Sequence, residues 1–222
     1  MEDNFRKLLL SSAGIIMKRR FFCKTTLLTL LLGVSTLSRA SENDLSVKYV
    51  KLAKLAVPGI YNFFSYACGH CNRFHPETVK LRQALKAKGQ ELIDVPVMLD
   101  PSHVILSQTY FAFERLDRLK DLHEEFWHWL LFAEHKWTTT EDVNKDIIAW
   151  VKDNGIAEET WVTALHHKDT LAKVEWAQKL AADYQLDGTP AIGVNGKYLT
   201  SPAMAGSNEK CVELVLELAD KK

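Results

Sequence analysis

The sequence lacks a strong charge of either sign. Lysine and arginine together number 28, and aspartate and glutamate also number 28. If the first forty residues are cleaved off as a signal peptide, 28 − 7 = 21 basic and 28 − 2 = 26 acidic residues remain. Neither balance favours a nucleic acid or an anionic membrane as a partner, because both attract proteins with a clear positive excess.

Cysteine is also scarce. Four cysteines occur, and only Cys68 and Cys71 are spaced as C-x-x-C. A structural zinc site normally requires a second ligand pair, and neither Cys23 nor Cys211 belongs to one, although His75 could add a third ligand. We therefore predict no metal site. Zinc binding stays open as an alternative to redox chemistry, as does a purely structural disulfide, whose short loop would add little chain-entropy stabilisation.

Near the N-terminus, the apolar stretch at residues 25–36 is too short to span a bilayer comfortably. It follows basic residues at 18–20 and precedes Ser-Arg-Ala at 38–40, the order found in secretory signal peptides. We predict an N-terminal extension and a cleavable signal peptide over residues 1–40, with Met17 as an alternative start. The paired arginines also resemble the twin-arginine pattern, and an uncleaved membrane anchor is a further alternative. Export would place the protein in an oxidising compartment.

The C-x-x-C pair directly follows an apolar run of strand length, residues 60–66. If a helix begins at Cys68, its free N–H groups and the positive end of its dipole favour a thiolate there. A stabilised thiolate is a good leaving group, so a disulfide between Cys68 and Cys71 would be attacked readily and pass on its oxidation. His70 adds a positive charge when protonated. The pattern indicates redox chemistry.

The segments around the pair have the pattern of an α/β protein. A helix is predicted from Cys68 to a stop at Gly89, followed by a strand at residues 92–99. Strand, helix and strand in succession begin an α/β unit. Near the C-terminus, Asn195-Gly196 favours a two-residue hairpin turn between strands.

The middle of the chain has a different character. Residues 103–180 have long helical periodicity and hold all six tryptophans, which we interpret as the core of a helical subdomain. We predict a domain built from residues 41–102 and 181–222, with this subdomain inserted. Cys211 lies on the apolar stripe of a final helix and is interpreted as a buried apolar residue.

Two separated segments share their pattern with a known family. Residues 63–71 read FFSYACGHC, and residues 187–191 read DGTPA, followed by VNGKY at 194–198. Together they resemble the active site, the cis-proline loop and the adjoining hairpin of the DsbA family of bacterial thiol-disulfide oxidoreductases. The resemblance covers roughly residues 45–222 and implies a thioredoxin-like fold with a helical insertion.

The resemblance also implies roles for individual residues. Cys68 would be the exposed sulfur that attacks and is attacked, and Cys71 the buried resolving sulfur. Pro190 would be cis, which places the backbone of Thr189 beside the disulfide to dock a substrate as an added strand. His70, between the two cysteines, would tune their reactivity.

Three positions depart from the best-studied members of the family. The dipeptide between the cysteines is Gly69-His70 instead of proline and histidine, which is similar to protein disulfide isomerase. Thr189 resembles isomerase and reductase relatives, where strongly oxidising members often have valine. Asn62 stands where the family often has a buried glutamate that relays protons. Asp94, in the adjoining predicted strand, is the candidate substitute for that carboxylate.

The leading functional prediction is an exported enzyme, located in the periplasm, that donates disulfides to newly secreted proteins without a bound cofactor. Its expected partners are reduced or unfolded secreted proteins and, by resemblance, a membrane quinone-linked reoxidase. No stable membrane association is expected after signal cleavage. An isomerase or reductase of the same fold, and a redox-inactive peptide-binding chaperone, remain as alternatives.

Overall fold

The computed structural model describes residues 48–98 and 100–221. The extension and signal peptide predicted over residues 1–40 lie outside this part of the chain. No helix within the described residues is long and apolar enough to cross a membrane.

Within residues 48–98 and 100–221, the strands form one mixed, five-stranded sheet. Their bounds are Val50–Lys51 (β1), Ile60–Phe64 (β2), Leu92–Pro96 (β3), Ala191–Val194 (β4) and Tyr198–Thr200 (β5). Across the sheet the order is β1, β5, β4, β2, β3. β2 is parallel to β3 and antiparallel to β4, and β5 is antiparallel to β4 and β1. Every residue of β2 is buried, as expected for a central strand covered on both faces.

Within the described residues, eight α-helices accompany the sheet. Their bounds are Gly69–Ala87 (α1), Val104–Arg115 (α2), Leu119–Phe132 (α3), Thr140–Asp153 (α4), Glu158–Leu165 (α5), Lys168–Asp183 (α6), Pro202–Ala205 (α7) and Asn208–Ala219 (α8). A short 3₁₀ helix, Pro101–His103, precedes α2. Helices α2 to α6 lie between β3 and β4 in the chain. This confirms the predicted α/β class with inserted helices, while the exact domain bounds stay a prediction.

Two clusters of buried apolar side chains hold these elements together. One joins the sheet to α1 and α8 and includes Phe74, Leu81, Ile192 and Val215. The other joins the sheet to the inserted helices through a larger set of aromatic residues, among them Phe63, Tyr66, Phe113, Trp161 and Tyr184. Burying each large apolar side chain contributes about 1.5–3 kcal/mol. The sheet and the inserted helices therefore share one core.

Cys211 lies in the cluster that joins α8 to the sheet, as the sequence predicted. It is a free cysteine with no exposed surface. Burial raises the pKa of its thiol to about 12, because an apolar environment disfavours the thiolate. Cys211 therefore serves as a packing residue in the core.

The predicted hairpin turn joins β4 to β5. Asn195 and Gly196 have φ values of 54° and 65°, and both central residues of a type I′ turn require positive φ. The N–H of Lys197 donates to the carbonyl of Val194 at 3.0 Å and closes the turn. The backbone of Gly196 also packs against the carbonyl of Ala56. Only glycine meets both the torsional and the steric requirement there.

Replacing Gly196 with alanine should lower the free energy of unfolding by about 2–5 kcal/mol. The left-handed backbone costs a non-glycine residue about 1–2 kcal/mol, and the added Cβ would collide with the carbonyl oxygen of Ala56, which adds about 1–3 kcal/mol. Gly206 is the matched control, because its φ is 90° but nothing lies within 4 Å of an added Cβ. Urea unfolding of both variants should give a clearly larger loss for Gly196→Ala, and equal losses would contradict the steric argument.

Candidate active site

The C-x-x-C pair lies where β2 leads into α1. Cys68 is the N-cap residue of α1, and Cys71 lies in its first turn. Their Cα atoms are 5.3 Å apart and their sulfurs form a disulfide. Cys71 is buried, with 3% of its surface exposed, whereas Cys68 is half-buried. An incoming thiol therefore has easier access to Cys68.

The start of α1 directs a backbone donor at the sulfur of Cys68. The N–H of Cys71 donates to Cys68 Sγ at 3.1 Å. The N–H of Cys68 in turn donates to the carbonyl of Ser65 at 3.1 Å, which turns the chain from the strand into the helix. The first turn of α1 contains no acidic residue. Free N–H groups and the helix dipole thus favour a negative charge on Cys68 when the disulfide opens.

A cis peptide bond lies next to the disulfide. The bond between Thr189 and Pro190 is cis, as the resemblance implied. It leads into β4, and the pairing of β4 with β2 brings this loop to the pair. Cys68 Sγ lies 3.5 Å from the carbonyl oxygen of Thr189. The sulfur of a disulfide carries no hydrogen, so this is a packing contact, and a reduced Cys68 thiol could donate to the same oxygen.

A cleft of about 490 Å³ opens between the start of α1 and the cis-proline loop. His70, Thr189 and Pro190 line it, together with Arg73 and Met204. The side chain of His70 is exposed to solvent, and both residues of the loop are half-buried. We refer to this feature as the cis-proline cleft. Of the predicted site residues, His70, Thr189 and Pro190 line the cleft, and Cys68 lies beside it through its contact with Thr189. Cys71 and Asp94 do not line it.

Asp94 lies in β3, opposite Asn62 of β2. The side-chain amide of Asn62 donates to Asp94 Oδ1 at 2.8 Å, and Arg82 Nη2 donates to Oδ2 at 2.7 Å. Asn62 Oδ1 is buried without a hydrogen-bond partner among the described residues. The sequence predicted that the strands of Asn62 and Asp94 are neighbours. The arginine that crosses from α1 was missed, because it depends on how the helix lies over the sheet.

A tyrosine–histidine pair near the disulfide was also missed. The hydroxyl of Tyr66 is 2.7 Å from Nδ1 of His123 in α3, and Tyr66 is almost fully buried. Burial lowers the pKa of His123 to about 4, so its ring is neutral near pH 7. Tyr66 therefore donates to Nδ1 in the tautomer that carries its proton on Nε2. The bond ties the segment before Cys68 to the inserted helices.

The histidine considered as a third zinc ligand has another partner. His75 Nε2 is 2.9 Å from Glu124 Oε1. In residues 48–98 and 100–221, no group of three or more histidine, cysteine, aspartate or glutamate side chains is arranged to hold a metal ion.

Comparisons with known proteins agree with this geometry. The family model described as Thioredoxin matches residues 53–213. The thiol:disulfide interchange protein DsbA of Pectobacterium carotovorum is 30% identical over 211 residues, which cover 86% of this chain and 97% of that protein. DsbA of Pseudomonas aeruginosa is 25% identical over 209 residues, covering 90% of this chain and 97% of that protein.

Solved structures share the fold. The crystal structure of Pseudomonas aeruginosa DsbA superposes with a TM-score of 0.68 at 24% identity, covering 78% of this chain and 91% of that one. A complex of Proteus mirabilis DsbA with a non-covalently bound peptide, PWATCDS, has a TM-score of 0.62 at 18% identity and covers 78% and 94%. The predicted thioredoxin-like fold is thereby confirmed.

The family model spans most of the chain, and the Pectobacterium relative is matched along nearly its whole length. The cysteine pair at the start of a helix supplies the disulfide that thiol–disulfide exchange requires, and the cis-proline loop lies beside it. The chain therefore belongs to the DsbA family of thiol:disulfide oxidoreductases.

Proposed function

We propose that this oxidoreductase is exported to the periplasm and donates its disulfide to newly secreted proteins that still carry reduced cysteines. One observation carries the proposal: Cys68 Sγ receives the N–H of Cys71 and lies beside the carbonyl of Thr189. The sulfur thus lies between the start of α1, which stabilises a thiolate, and the backbone of Thr189, with which an extended polypeptide can pair. Export rests on the signal peptide predicted over residues 1–40.

The exchange proceeds in two displacements. A substrate thiolate attacks Cys68 Sγ, which forms a mixed disulfide and releases the electron pair of the old bond to Cys71 as a thiolate. A second substrate thiolate then attacks the substrate sulfur of the mixed disulfide and releases Cys68 as a thiolate. The substrate leaves oxidised and the enzyme is reduced by two electrons. If the second substrate thiol is slow, Cys71 attacks Cys68 and restores the starting state.

The cis-proline loop is proposed to hold the substrate during the exchange. The carbonyl of Thr189 lies next to the reacting sulfur, and Pro190, lacking an N–H, ends the pairing there. An extended substrate segment could pair with this backbone as an added strand. The peptide bound to Proteus mirabilis DsbA shows that a structural relative holds a cysteine-containing peptide without a covalent bond.

Reoxidation requires a partner, because the cycle leaves the cysteine pair reduced. By family resemblance we propose a membrane quinone-linked reoxidase, which would accept the two electrons. The enzyme itself needs no cofactor, since both electrons reside in its own sulfur atoms. Reduced secreted proteins and the reoxidase would use the same exposed sulfur of Cys68 in turn.

Two further residues are assigned roles in this proposal. His70 is exposed at the start of α1 and lines the cis-proline cleft, where its positive form would stabilise the Cys68 thiolate. Asp94 would relay protons for Cys71 in place of the family carboxylate. Its support is the hydrogen bond from Asn62, which links Asp94 to the strand that leads to the cysteine pair.

An isomerase or reductase is the second candidate function. Two sequence features favour it, because Gly69-His70 between the cysteines and Thr189 before the cis-proline are both similar to isomerase and reductase relatives. Those enzymes react with their substrates in the reduced form, whereas an oxidase reacts with its substrate in the oxidised form. The two candidates therefore differ in the state of the Cys68–Cys71 pair in the cell.

The proposed function predicts that the pair is mostly oxidised in living cells. Cells would be quenched with acid, free thiols alkylated with a reagent that adds mass, and the two forms separated on a gel. A sample reduced with dithiothreitol before alkylation marks the position of the reduced form. The Cys68→Ser variant is the control, because it cannot form the bond and, with one thiol fewer than the reduced enzyme, should migrate between the two forms under both conditions. A mostly reduced pair would instead support the isomerase or reductase.

Replacing His70 with alanine should make the enzyme a weaker oxidant. Loss of the charge that His70 carries when protonated destabilises the Cys68 thiolate and with it the reduced form, so the disulfide gains relative stability and the reduction potential falls. A tenfold change in the equilibrium constant corresponds to about 30 mV, and we expect a fall of about that size on equilibration with glutathione. His166→Ala, an exposed histidine at the end of α5, should leave the potential unchanged. An unchanged reduction potential in His70→Ala would show that His70 does not stabilise the Cys68 thiolate.

A further inference from the structure

A second groove reaches the active site from the side of the inserted helices. Its volume is about 480 Å³, within the roughly 300–1,000 Å³ of typical ligand sites. The groove lies between the start of α2, the end of α3 and the start of α4, and Ala67 forms part of its edge. Ala67 is exposed and directly precedes Cys68. We refer to this feature as the helical groove.

The floor and walls of the helical groove are apolar. Ile105, Leu106 and Leu130 are nearly buried and form the deeper surface. Leu131 and Val143 are half-buried and line the groove nearer to solvent. Contact with an apolar group would remove further surface of these side chains from water, which favours binding. The groove is therefore suited to a hydrocarbon or aromatic side chain.

One wall of the groove is a tryptophan held in a fixed position. Trp137 Nε1 donates to Asp146 Oδ2 at 2.7 Å. The ring of His135 stacks on Trp137 with a centroid distance of 3.7 Å and an interplanar angle of 17°, and Trp129 contacts it edge-on. A wall that is ordered before binding reduces the entropy lost on binding. The groove is thus organised without a ligand.

Three of the polar residues that line the groove, Ser102, Thr138 and Thr139, already have partners, and Ser102 donates to Asp100 Oδ1 at 2.7 Å. The N–H groups and hydroxyls of Thr138 and Thr139 all donate to Asp142 Oδ2, at 2.9–3.0 Å. Backbone and hydroxyl hydrogen bonds lower the pKa of Asp142 to about 2, so this carboxylate stays ionised and keeps these donors occupied. Few donors at the rim remain for a polar ligand. The rim therefore adds to the preference for an apolar occupant.

The position of the groove relative to Cys68 indicates what reaches it. A polypeptide joined to Cys68 through its own cysteine extends from that sulfur in two directions. A segment on one side of that cysteine would lie in the cis-proline cleft, which His70 lines, and a segment on the other side would cross Ala67, which lines the helical groove. An extended chain advances about 3.3 Å per residue, and the groove begins at Ala67, the residue next to Cys68, so a residue close to the substrate cysteine would lie at its edge. The small side chain of Ala67 leaves this path open.

We propose that the helical groove binds a large apolar side chain of the substrate polypeptide, next to the cysteine being oxidised. The inference rests on the proposed function, because proteins oxidised before they fold still expose the apolar side chains that folding later buries. The groove would then direct the enzyme to cysteines that lie beside future core residues. It would act separately from strand pairing at Thr189, since no residue lines both the helical groove and the cis-proline cleft.

The test measures how fast single-cysteine peptides reduce the oxidised enzyme. Two peptide thiols react with one enzyme disulfide to give one peptide disulfide and the reduced cysteine pair, so atoms and electrons balance. Peptides would carry alanine or leucine immediately before the cysteine in one series and immediately after it in another. The second-order rate constant would be followed by acid quench and alkylation. In at least one series, the leucine peptide should react on the order of tenfold faster.

The variant Leu131→Glu places a charge on the wall of the groove. In the peptide series in which the wild-type enzyme prefers leucine, this variant should abolish the preference, while its rate with the alanine peptide changes by less than about twofold. Leu171→Glu is the matched control, because Leu171 is an exposed leucine of α6 that does not line the groove. Thr140→Trp, at the exposed rim, is a second variant that fills the groove if Leu131→Glu does not fold. It should abolish the same preference.

Three results would overturn the inference. The wild-type enzyme could oxidise leucine and alanine peptides at equal rates in both series, the preference could survive in Leu131→Glu and Thr140→Trp, or both peptides could be slowed equally by these variants. Each of these results leaves the proposed function in place, because the enzyme still oxidises thiols. If the wild-type enzyme oxidises no peptide at all, the proposed function fails together with the groove.

Discussion

The chemistry of this protein depends on one hydrogen bond, from the N–H of Cys71 to Cys68 Sγ at 3.1 Å. The bond exists because Cys68 is the N-cap residue of α1, so the first N–H groups of the helix have no carbonyl partners of their own. A sulfur at this position gains stability as a thiolate, which makes it both the better leaving group and the more reactive atom in the reduced pair. Burial of Cys71 gives the two sulfurs different roles.

The rest of the fold holds the sulfur of Cys68 in place beside the backbone of Thr189. Strand β2 ends at Phe64, a short segment before the cysteine pair, and its antiparallel pairing with β4 brings the carbonyl oxygen of Thr189 to 3.5 Å from Cys68 Sγ. From the other side, the buried bond between Tyr66 and His123 fixes the segment before Cys68 to the inserted helices. The sheet therefore sets the cis-proline cleft, and the inserted helices set the helical groove.

Local patterns in the sequence predicted the features that depend on neighbouring residues alone. The helix starting at Cys68, the turn at Asn195-Gly196 and the buried position of Cys211 follow from spacing, turn chemistry and apolar periodicity. The cis bond before Pro190 came from family resemblance, since an isolated proline gives no such signal. The features that were missed join residues far apart in the chain. Arg82 reaches Asp94 only because α1 crosses β3, and the helical groove exists only where three helices meet.

The most direct test of this account is selective labelling of the reduced enzyme. Iodoacetamide at mildly acidic pH reacts with thiolates, and the helix N-terminus should make Cys68 the only one of the pair present as a thiolate to a substantial extent. Mass spectrometry of the digested protein should then find the label on Cys68 almost alone, with Cys71 and the buried Cys211 unmodified. Equal labelling of Cys68 and Cys71 would show that the start of α1 does not distinguish the two sulfurs and would contradict the account.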